Sequence, residues 1–279
     1  MAELDAVLPT SLHEALAALE DDGALAIGGG TSVALLLRSG LLDPRRLVFL
    51  ARVRELHESQ HDENALRLGA GTTLRDCARH PELRRALPAL AGAAAGVGNA
   101  RVRAVATLGG ALAHGDPRQD LPPVLLALGA TIAISSTTGT TERPLDGFFG
   151  GFLDTALNEG ELIRSVQIPL VAGRRCTYVR FTPASADDYP TVGVAAVVSR
   201  DAAGNLAELA LGLAGVGSSA LLVAGLSPLV GRPLDPDTIA AAAHQAQECA
   251  APISDQRGSA DYKREMLAVI TRRALEALR

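Results

Sequence analysis

Two segments of the sequence combine glycines with hydroxyl side chains in a pattern that can bind phosphate groups. The first, Gly28-Gly29-Gly30-Thr31-Ser32, lies between two short apolar runs, residues 24–27 and 33–38. Glycines at such a strand-to-helix junction let backbone N–H groups approach a phosphate without a clash from a Cβ atom. The alternative is a tight turn that is capped by Thr31 or Ser32.

The second segment, residues 107–120, contains glycines, a threonine, a histidine and two carboxylates. Such a density of polar and flexible residues costs stability unless it serves a ligand. Asp120 could accept a hydrogen bond from a ribose hydroxyl, or it could cap the helix predicted to follow it. His114 could donate a hydrogen bond to a diphosphate or a ribityl hydroxyl, and its neighbours indicate no acid–base role.

No group of residues indicates a metal site on this chain. The cysteines, Cys77, Cys176 and Cys249, are far apart and odd in number, which fits neither disulfides nor iron–sulfur ligation. We therefore expect any iron–sulfur centre to lie on another chain. His57 and His61 could share a helix face and bind a metal, but their polar neighbours favour a solvated turn.

Composition and charge exclude several classes of function. The chain has 279 residues, a net charge of -5 and basic residues that are scattered among acids, which argues against nucleic-acid binding. No apolar run reaches the ~18 residues that a membrane span needs. The first residues are acidic where a signal peptide would be basic, so we expect a cytoplasmic protein.

Periodicity predicts an α/β arrangement over residues 1–170 and an α+β arrangement over residues 171–279. The first part ends near residues 169–174. The predicted helices and strands of the first part are helices 11–20, 33–38, 73–95 and 121–128 and strands 24–27, 47–50, 66–71 and 130–135, with a polar turn through 141. In the second part they are strands 177–181, 192–199 and 206–213 and helices 220–223, 239–249 and 259–278.

Several motifs in a fixed order resemble one known family. The segments AIGGGTS, LGAGTTLRD, TLGGALAHGDPRQDLPPVLLALGA, GELIRSVQIP and DYPTVGVAA, together with the C-terminal tail, are similar to the FAD-binding medium subunit of molybdenum hydroxylases. Carbon monoxide dehydrogenase and xanthine dehydrogenase belong to this family. The resemblance covers nearly the whole chain. It implies a vanillyl-alcohol-oxidase-type FAD fold of two α/β lobes, about residues 1–56 and 57–170, plus a C-terminal α+β domain over residues 171–279, and not a Rossmann domain.

The resemblance also implies which residues bind FAD. The pyrophosphate would lie between the two glycine loops, Asp120 would reach the adenosine side, and Leu162 would line the adenine pocket. The loop residues expected to hold the pyrophosphate are Gly28, Gly29, Gly30, Thr31 and Ser32 from one lobe and Thr107, Gly109 and Gly110 from the other.

Two residues are expected at the flavin ring, where they would serve the redox chemistry. Tyr189 would gate or stack on the flavin, the alternative being a half-buried tyrosine before a strand. Arg180 stands where many relatives have lysine and would stabilise reduced flavin or a phosphate, the alternative being an exposed strand arginine.

Four positions depart from the family pattern. Ala104 and Ala106 stand before the second glycine loop where relatives commonly have asparagine and glycine, and Pro183 and Ala184 replace arginines beyond Arg180. These departures predict an altered flavin edge, which could change the electron acceptor, while both pyrophosphate loops are complete.

The function that the resemblance implies is electron transfer within a complex. A large subunit would carry the molybdenum cofactor and a small subunit the 2Fe–2S clusters, and FAD on this chain would pass electrons to NAD, a quinone or dioxygen. The complex would be a dimer of heterotrimers. The alternatives are a stand-alone FAD-dependent oxidoreductase that acts directly on a small organic substrate, and a homologue that has lost FAD. The sequence does not specify the oxidised substrate.

Overall fold

The computed structural model describes residues 4–279. Met1, Ala2 and Glu3, on which part of the targeting expectation rests, lie outside these residues. Within the described part of the chain, no helix combines the length and the hydropathy needed to cross a bilayer.

The N-terminal lobe is a small parallel sheet with one helix packed on it. Its strand order is β1-β3-β2. Ser11 caps the first helix by accepting a hydrogen bond from the backbone N–H of Glu14. The elements are β1 (Asp5–Val7), α1 (Leu12–Leu19), β2 (Ala24–Ile27), α2 (Val33–Arg38) and β3 (Arg46–Phe49).

The second lobe is a five-stranded antiparallel sheet with a set of short helices. The strand order is β4-β5-β10-β6-β7, so the last strand of the lobe, β10, lies at the centre of the sheet. The strands are β4 (Ser59–His61), β5 (Ala65–Gly69), β6 (Thr131–Ser136), β7 (Gly139–Pro144) and β10 (Leu162–Pro169), beside a small hairpin of β8 (Phe149–Gly151) and β9 (Asp154–Thr155). The helices are α3 (Leu74–Arg79), α4 (Pro81–Ala86), α5 (Pro88–Gly96), α6 (Ala100–Val105), α7 (Leu108–His114) and α8 (Leu121–Ala127).

The predicted helix over 73–95 is three helices, α3, α4 and α5. Pro81 and Pro88 stand at the first positions of α4 and α5. A proline has no N–H to donate to the preceding turn and restricts the residue before it, so each one ends a helix and begins the next. The apolar spacing predicted the helical state correctly, but not the two breaks.

Two further predictions for single elements differ from the structure, and one central strand was missed. The polar segment predicted as a turn through 141 forms β7 from Gly139, because its backbone pairs with β6. Residues 220–223 are not helical, since Leu221 and Leu222 (β14) pair with the edge of β13. The central strand β10 was not among the predicted elements at all. In each case pairing with a neighbouring strand decides the conformation.

The C-terminal part is an antiparallel sheet covered by two helices, as predicted. The sheet order is β11-β12-β13-β14, and α9 and α10 pack on it. Along β12, alternate residues face two different hydrophobic cores: Val194 belongs to the core under α9 and α10, and Val197 to the core of the FAD-binding part. The bounds are β11 (Arg175–Phe181), β12 (Val192–Arg200), β13 (Leu206–Ala214), β14 (Leu221–Leu222), α9 (Pro236–Cys249) and α10 (Ala260–Glu276).

The central strand β12 is therefore buried on both faces, and it reads as a nearly continuous apolar run. A Cβ on Gly212 of β13 would overlap the backbone of Pro123 in α8, which shows how closely the sheet packs on the FAD-binding part. The predicted boundary near residue 170 falls in the connection between β10 and β11 and stays a prediction.

Candidate functional site

The two glycine loops lie against each other. A Cβ atom on Gly28 would be 2.6 Å from Oγ1 of Thr107, and a Cβ on Gly29 would overlap the backbone carbonyl of Val105. Gly30 adopts φ 72°, a left-handed conformation that favours glycine. The close approach therefore requires glycine at these positions, as the sequence pattern indicated.

The first loop has free hydrogen-bond donors. Over residues 4–279, no backbone or side-chain acceptor is found for the N–H groups of Gly28, Gly29, Gly30, Thr31 and Ser32. Five successive free N–H groups in a glycine loop form a concave donor surface of the kind that binds phosphate oxygens. Thr31 and Ser32 are half-buried, and Ser32 makes no capping hydrogen bond to α2, so the predicted capping by Ser32 is wrong.

The second loop is different, because the N–H groups of Leu108, Gly109 and Gly110 are used within the fold. Gly109 donates to the carbonyl of Ala70 at 2.8 Å, and Gly110 donates to Oγ1 of Thr107 at 3.1 Å. Thr107 thus caps α7, and a Cβ on Gly109 would be 2.5 Å from that of Ala70. The second loop supports the first by close packing, and direct contacts of Thr107, Gly109 and Gly110 with FAD stay a prediction.

Helix α7 connects the glycine loops to a second group of polar residues. Its seven residues extend for about 10 Å. His114, its last residue, is half-buried, and burial lowers the pKa of its imidazole, which is therefore neutral near pH 7. A neutral ring can donate a hydrogen bond but adds no positive charge, so the predicted role of His114 toward FAD remains one of hydrogen bonding alone. Gly115 ends the helix with φ 64°.

Asp120 joins the FAD-binding part to the C-terminal sheet. Its side chain is 4% exposed, and Oδ1 accepts a hydrogen bond of 2.7 Å from the hydroxyl of Tyr178 in β11. Asp120 makes no capping hydrogen bond to α8, so that alternative is wrong. Burial raises the pKa of the carboxyl to about 6, although Arg180 and Tyr178 act in the opposite direction. A contact between Asp120 and a ribose stays a prediction.

Arg180 is the cationic partner of Asp120 and not an exposed strand residue. Its Nε lies 3.2 Å from Oδ1 of Asp120 without the alignment of a hydrogen bond, and its Nη2 donates to the carbonyl of Asp188 at 2.5 Å. Nη1 donates to the carbonyls of Gly96 and Ala186. The guanidinium is thereby fixed between the two parts of the chain, and its predicted action on flavin is not tested by these contacts.

Tyr189 lies among two arginines and two carboxylates. The guanidinium carbons of Arg118 and Arg257 are 5.1 and 5.8 Å from the centroid of its ring. Asp116 accepts two hydrogen bonds from the Arg118 side chain, and Asp188 pairs with Arg257. Tyr189 is 38% exposed, and partial burial raises the pKa of its hydroxyl, which stays protonated near neutral pH.

Sequence reasoning did not single out Arg118, Arg257 or Tyr178 for this site. Arg118 lies in the segment 107–120, two residues after Asp116, and this spacing is the one local signal for the ion pair. Leu162 is buried at the start of β10, opposite Ser135 of β6, and its contact with adenine stays a prediction.

The histidines and cysteines form no metal site in residues 4–279, where no group of three or more His, Cys, Asp or Glu side chains converges. His61 lies in β4, so the helical spacing to His57 does not apply. Burial raises the pKa of the Cys77 and Cys176 thiols to about 12, which leaves them unreactive at neutral pH. A cavity of about 460 Å³ beside His61 and Cys176 contains none of the predicted FAD-binding residues.

Comparison with known proteins covers nearly the whole chain. Residues 2–171 match the family described as the FAD binding domain in molybdopterin dehydrogenase, and residues 177–278 match the carbon monoxide dehydrogenase flavoprotein C-terminal domain. The glyceraldehyde dehydrogenase medium chain of Sulfolobus acidocaldarius is 30% identical over 98% of this chain and 98% of its own length. The carbon monoxide dehydrogenase medium chain of Hydrogenophaga pseudoflava is 32% identical over 96% and 94%.

A solved structure has the same architecture. Carbon monoxide dehydrogenase from Hydrogenophaga pseudoflava, in a form that lacks the Mo-pyranopterin moiety of the molybdenum cofactor, superposes with a TM-score of 0.95 at 30% identity, covering 99% of this chain and 96% of that one. The predicted fold of two α/β lobes followed by an α+β domain is confirmed.

Proposed function

The chain belongs to the family of FAD-binding medium subunits of molybdenum hydroxylases, and on this premise we propose that it passes electrons from iron–sulfur clusters of a partner subunit, through FAD, to a final acceptor. It is an oxidoreductase flavoprotein with FAD as its cofactor, and the molybdenum and iron–sulfur centres of the family lie on other subunits. The observation that carries the proposal is the set of five free N–H donors on the first glycine loop. The second loop packs so closely on Gly28 and Gly29 that a Cβ atom on either residue would clash with it.

The residues present fit FAD. Free N–H groups of Gly28 to Ser32 match the oxygens of a pyrophosphate, and α7, about 10 Å long, leads from the second loop toward the segment that contains Arg118, which lies beside Tyr189. The ribityl chain of a flavin can span a distance of this order. We therefore assign the pyrophosphate to the glycine loops and the flavin ring to the neighbourhood of Tyr189.

Each part of the site has its own task in this arrangement. Bound FAD supplies a redox group that accepts electrons singly and releases them in pairs. Gly28 to Ser32 bind and orient it, Tyr189 limits access to the ring, and the pair of Asp120 and Arg180 holds the C-terminal sheet against the FAD-binding part. No side chain is required as a general acid or base.

Partner subunits are the second part of the proposal. The relatives are medium chains, a name that belongs to complexes of several subunits. We propose a molybdenum-cofactor large subunit and a 2Fe–2S small subunit as partners, in a dimer of heterotrimers. Helix α2 supports this, because none of its residues is buried although most are apolar, and Leu35 and the nearby Leu41 are 63% and 72% exposed. An exposed apolar helix of this kind is typical of a protein interface.

The test of the proposed electron transfer uses the purified chain loaded with FAD. Its visible flavin band is followed without oxygen after addition of either a chemically reduced 2Fe–2S ferredoxin or small organic donors such as aldehydes and purines. The proposal predicts bleaching by the reduced ferredoxin and none by the organic donors. Bleaching and turnover with an organic donor alone would instead establish the stand-alone oxidoreductase.

Replacement of Leu41 by glutamate is expected to weaken association with the partner subunits by about tenfold or more, because a charge would have to be buried at the interface. The measurement is recovery of the partner chains with a tagged medium chain after coexpression. Val230→Glu is the matched control, since Val230 is also exposed, at 43%, but lies far along the chain from α2. FAD binding should be unchanged in both variants. Recovery of partners by Leu41→Glu at the level of the control would contradict the interface.

A further inference from the structure

Three loops that are distant in sequence meet around Tyr189. Arg118 comes from the connection after α7, Tyr189 from the connection between β11 and β12, and Arg257 from the connection before α10. Both guanidinium carbons lie within 6 Å of the tyrosine ring centroid, at 5.1 Å for Arg118 and 5.8 Å for Arg257. At this range the positive charge is attracted to the electron-rich ring.

Both arginines are themselves fixed by carboxylates. Nε and Nη2 of Arg118 donate to the two oxygens of Asp116 at 2.9 and 2.7 Å. Nη2 of Arg257 donates to Oδ1 of Asp188 at 2.5 Å, and the same oxygen accepts the backbone N–H of Tyr189 at 2.7 Å. Burial acts to raise the pKa of Asp116, but the hydrogen bonds from Arg118 lower it, so the carboxylate is charged near neutral pH.

The position of Arg257 is costly for folding alone. Its side chain is only 13% exposed, and among the described residues no acceptor is found for its buried Nε and Nη1. Buried donors without acceptors destabilise a protein, and in native structures they are rare enough to require an explanation. Nη2 pairs with Asp188, whereas Nε and Nη1 gain no acceptor, and the guanidinium as a whole lies beside the ring of Tyr189.

We propose that Arg118 and Arg257 are positioning residues that clamp the ring of Tyr189 and thereby limit the access of small molecules to the flavin. The inference rests on the proposed function, which puts the flavin ring beside Tyr189. Neither arginine needs to touch the flavin, because each acts through the tyrosine. The clamp joins the FAD-binding part to two loops of the C-terminal part, so access to the flavin depends on how these parts are held together.

The test is collisional quenching of bound-FAD fluorescence by acrylamide, a neutral probe that is indifferent to the loss of a charge. The chain has no Trp, so no indole emission interferes. Arg257→Gln and Arg118→Gln are each expected to raise the quenching constant on the order of fivefold, the population change that loss of one cation–π contact allows. Arg272→Gln removes the same charge from an exposed position on α10 and should leave quenching unchanged.

The variant Tyr189→Ala distinguishes failure of the clamp from failure of the proposed function. It should raise quenching at least as much as either arginine variant, and Arg257→Gln in the Tyr189→Ala background should add nothing further. If Tyr189→Ala raises quenching and both arginine variants remain at the wild-type value, the clamp is overturned and the flavin position stands. An equal effect of Arg257→Gln in both backgrounds also overturns it.

The other outcomes concern the flavin itself. Unchanged quenching in Tyr189→Ala means that the flavin ring is not beside Tyr189, and it overturns both the clamp and that part of the proposed function. Absence of FAD binding by the wild-type chain, seen already in the titration, overturns the proposed function and the clamp with it. Should Arg257→Gln fail to fold, Arg118→Gln provides the same test from the other side of the clamp.

Discussion

Replacement of Gly29 by alanine is expected to weaken FAD binding by roughly 10- to 100-fold, the effect of about 1–3 kcal/mol of overpacking. The added Cβ would overlap the backbone carbonyl of Val105, which cannot rotate away as a side chain can. The two glycine loops must then separate, and the donor surface of the first loop moves. Titration of the purified variant with FAD, followed by flavin fluorescence, measures the change.

Gly28→Ala provides a graded comparison, because its Cβ would meet a side chain instead of backbone, at 2.6 Å from Oγ1 of Thr107. Thr107→Ala removes that oxygen and should recover part of the affinity that Gly28→Ala loses, once the effect of Thr107→Ala alone is subtracted. The same second change should not rescue Gly29→Ala. Equal rescue of both would mean that the loops are not arranged as described.

Gly92→Ala is the matched control for a glycine-to-alanine change. Gly92 lies within α5, and nothing is within 4 Å of a Cβ at this position. Alanine there should stabilise the helix by about 0.5–1 kcal/mol and leave the FAD affinity unchanged. FAD affinity within twofold of wild type for Gly29→Ala as well would contradict the packing argument.

The glycine loops could be predicted from sequence because their signal is local. Consecutive glycines between two apolar runs indicate a tight strand-to-helix turn whatever the rest of the chain does. The roles of the two loops could not be separated in this way, since the hydrogen bond from Gly109 to Ala70 depends on another part of the lobe. The sequence therefore predicted two equivalent loops, whereas the N–H groups of Gly109 and Gly110 are used within the fold and those of Gly28 to Ser32 are not.

The polar groups beyond α7 could not be predicted because they meet only in the folded chain. Tyr178 and Asp120 are 58 residues apart, and Arg257 and Asp188 are 69 apart. Neither pair has a local pattern that marks it. The same reason explains β10, which pairs with β5 and β6 across long separations, whereas the strands of the C-terminal sheet have apolar runs long enough to be recognised.

Replacement of Arg180 by methionine is expected to lower the free energy of unfolding by about 3–5 kcal/mol near neutral pH, since it leaves the buried Asp120 without a cation. The variant also loses hydrogen bonds to the carbonyls of Gly96, Ala186 and Asp188. Denaturant unfolding of the chain without FAD measures the change. Asp120→Asn in the same chain should recover part of the loss, because a neutral amide oxygen still accepts from Tyr178.

The loss of unfolding free energy caused by Arg180→Met should depend on pH, because the Asp120 carboxyl titrates. Burial raises its pKa from 3.8 to about 6 in the folded chain, a difference of about 3 kcal/mol. A raised folded-state pKa means that the contribution of this group is fully present below pH 3.8 and is lost as the pH rises through about 6. Without the Arg180 guanidinium the pKa of the Asp120 carboxyl rises further, so ionisation of Asp120 costs the folded chain more free energy.

The free energy of unfolding of Arg180→Met should consequently be closer to that of wild type at acid pH than at pH values above about 7. For Asp120→Asn, the free energy of unfolding should increase relative to wild type as the pH rises through about 6. Unfolding curves at matched ionic strength on both sides of that value measure the two trends. A constant difference between Asp120→Asn and wild type across this interval would show that Asp120 titrates elsewhere. In that case Arg180 stabilises the junction through its carbonyl acceptors alone, and Asp120 is free to serve the cofactor.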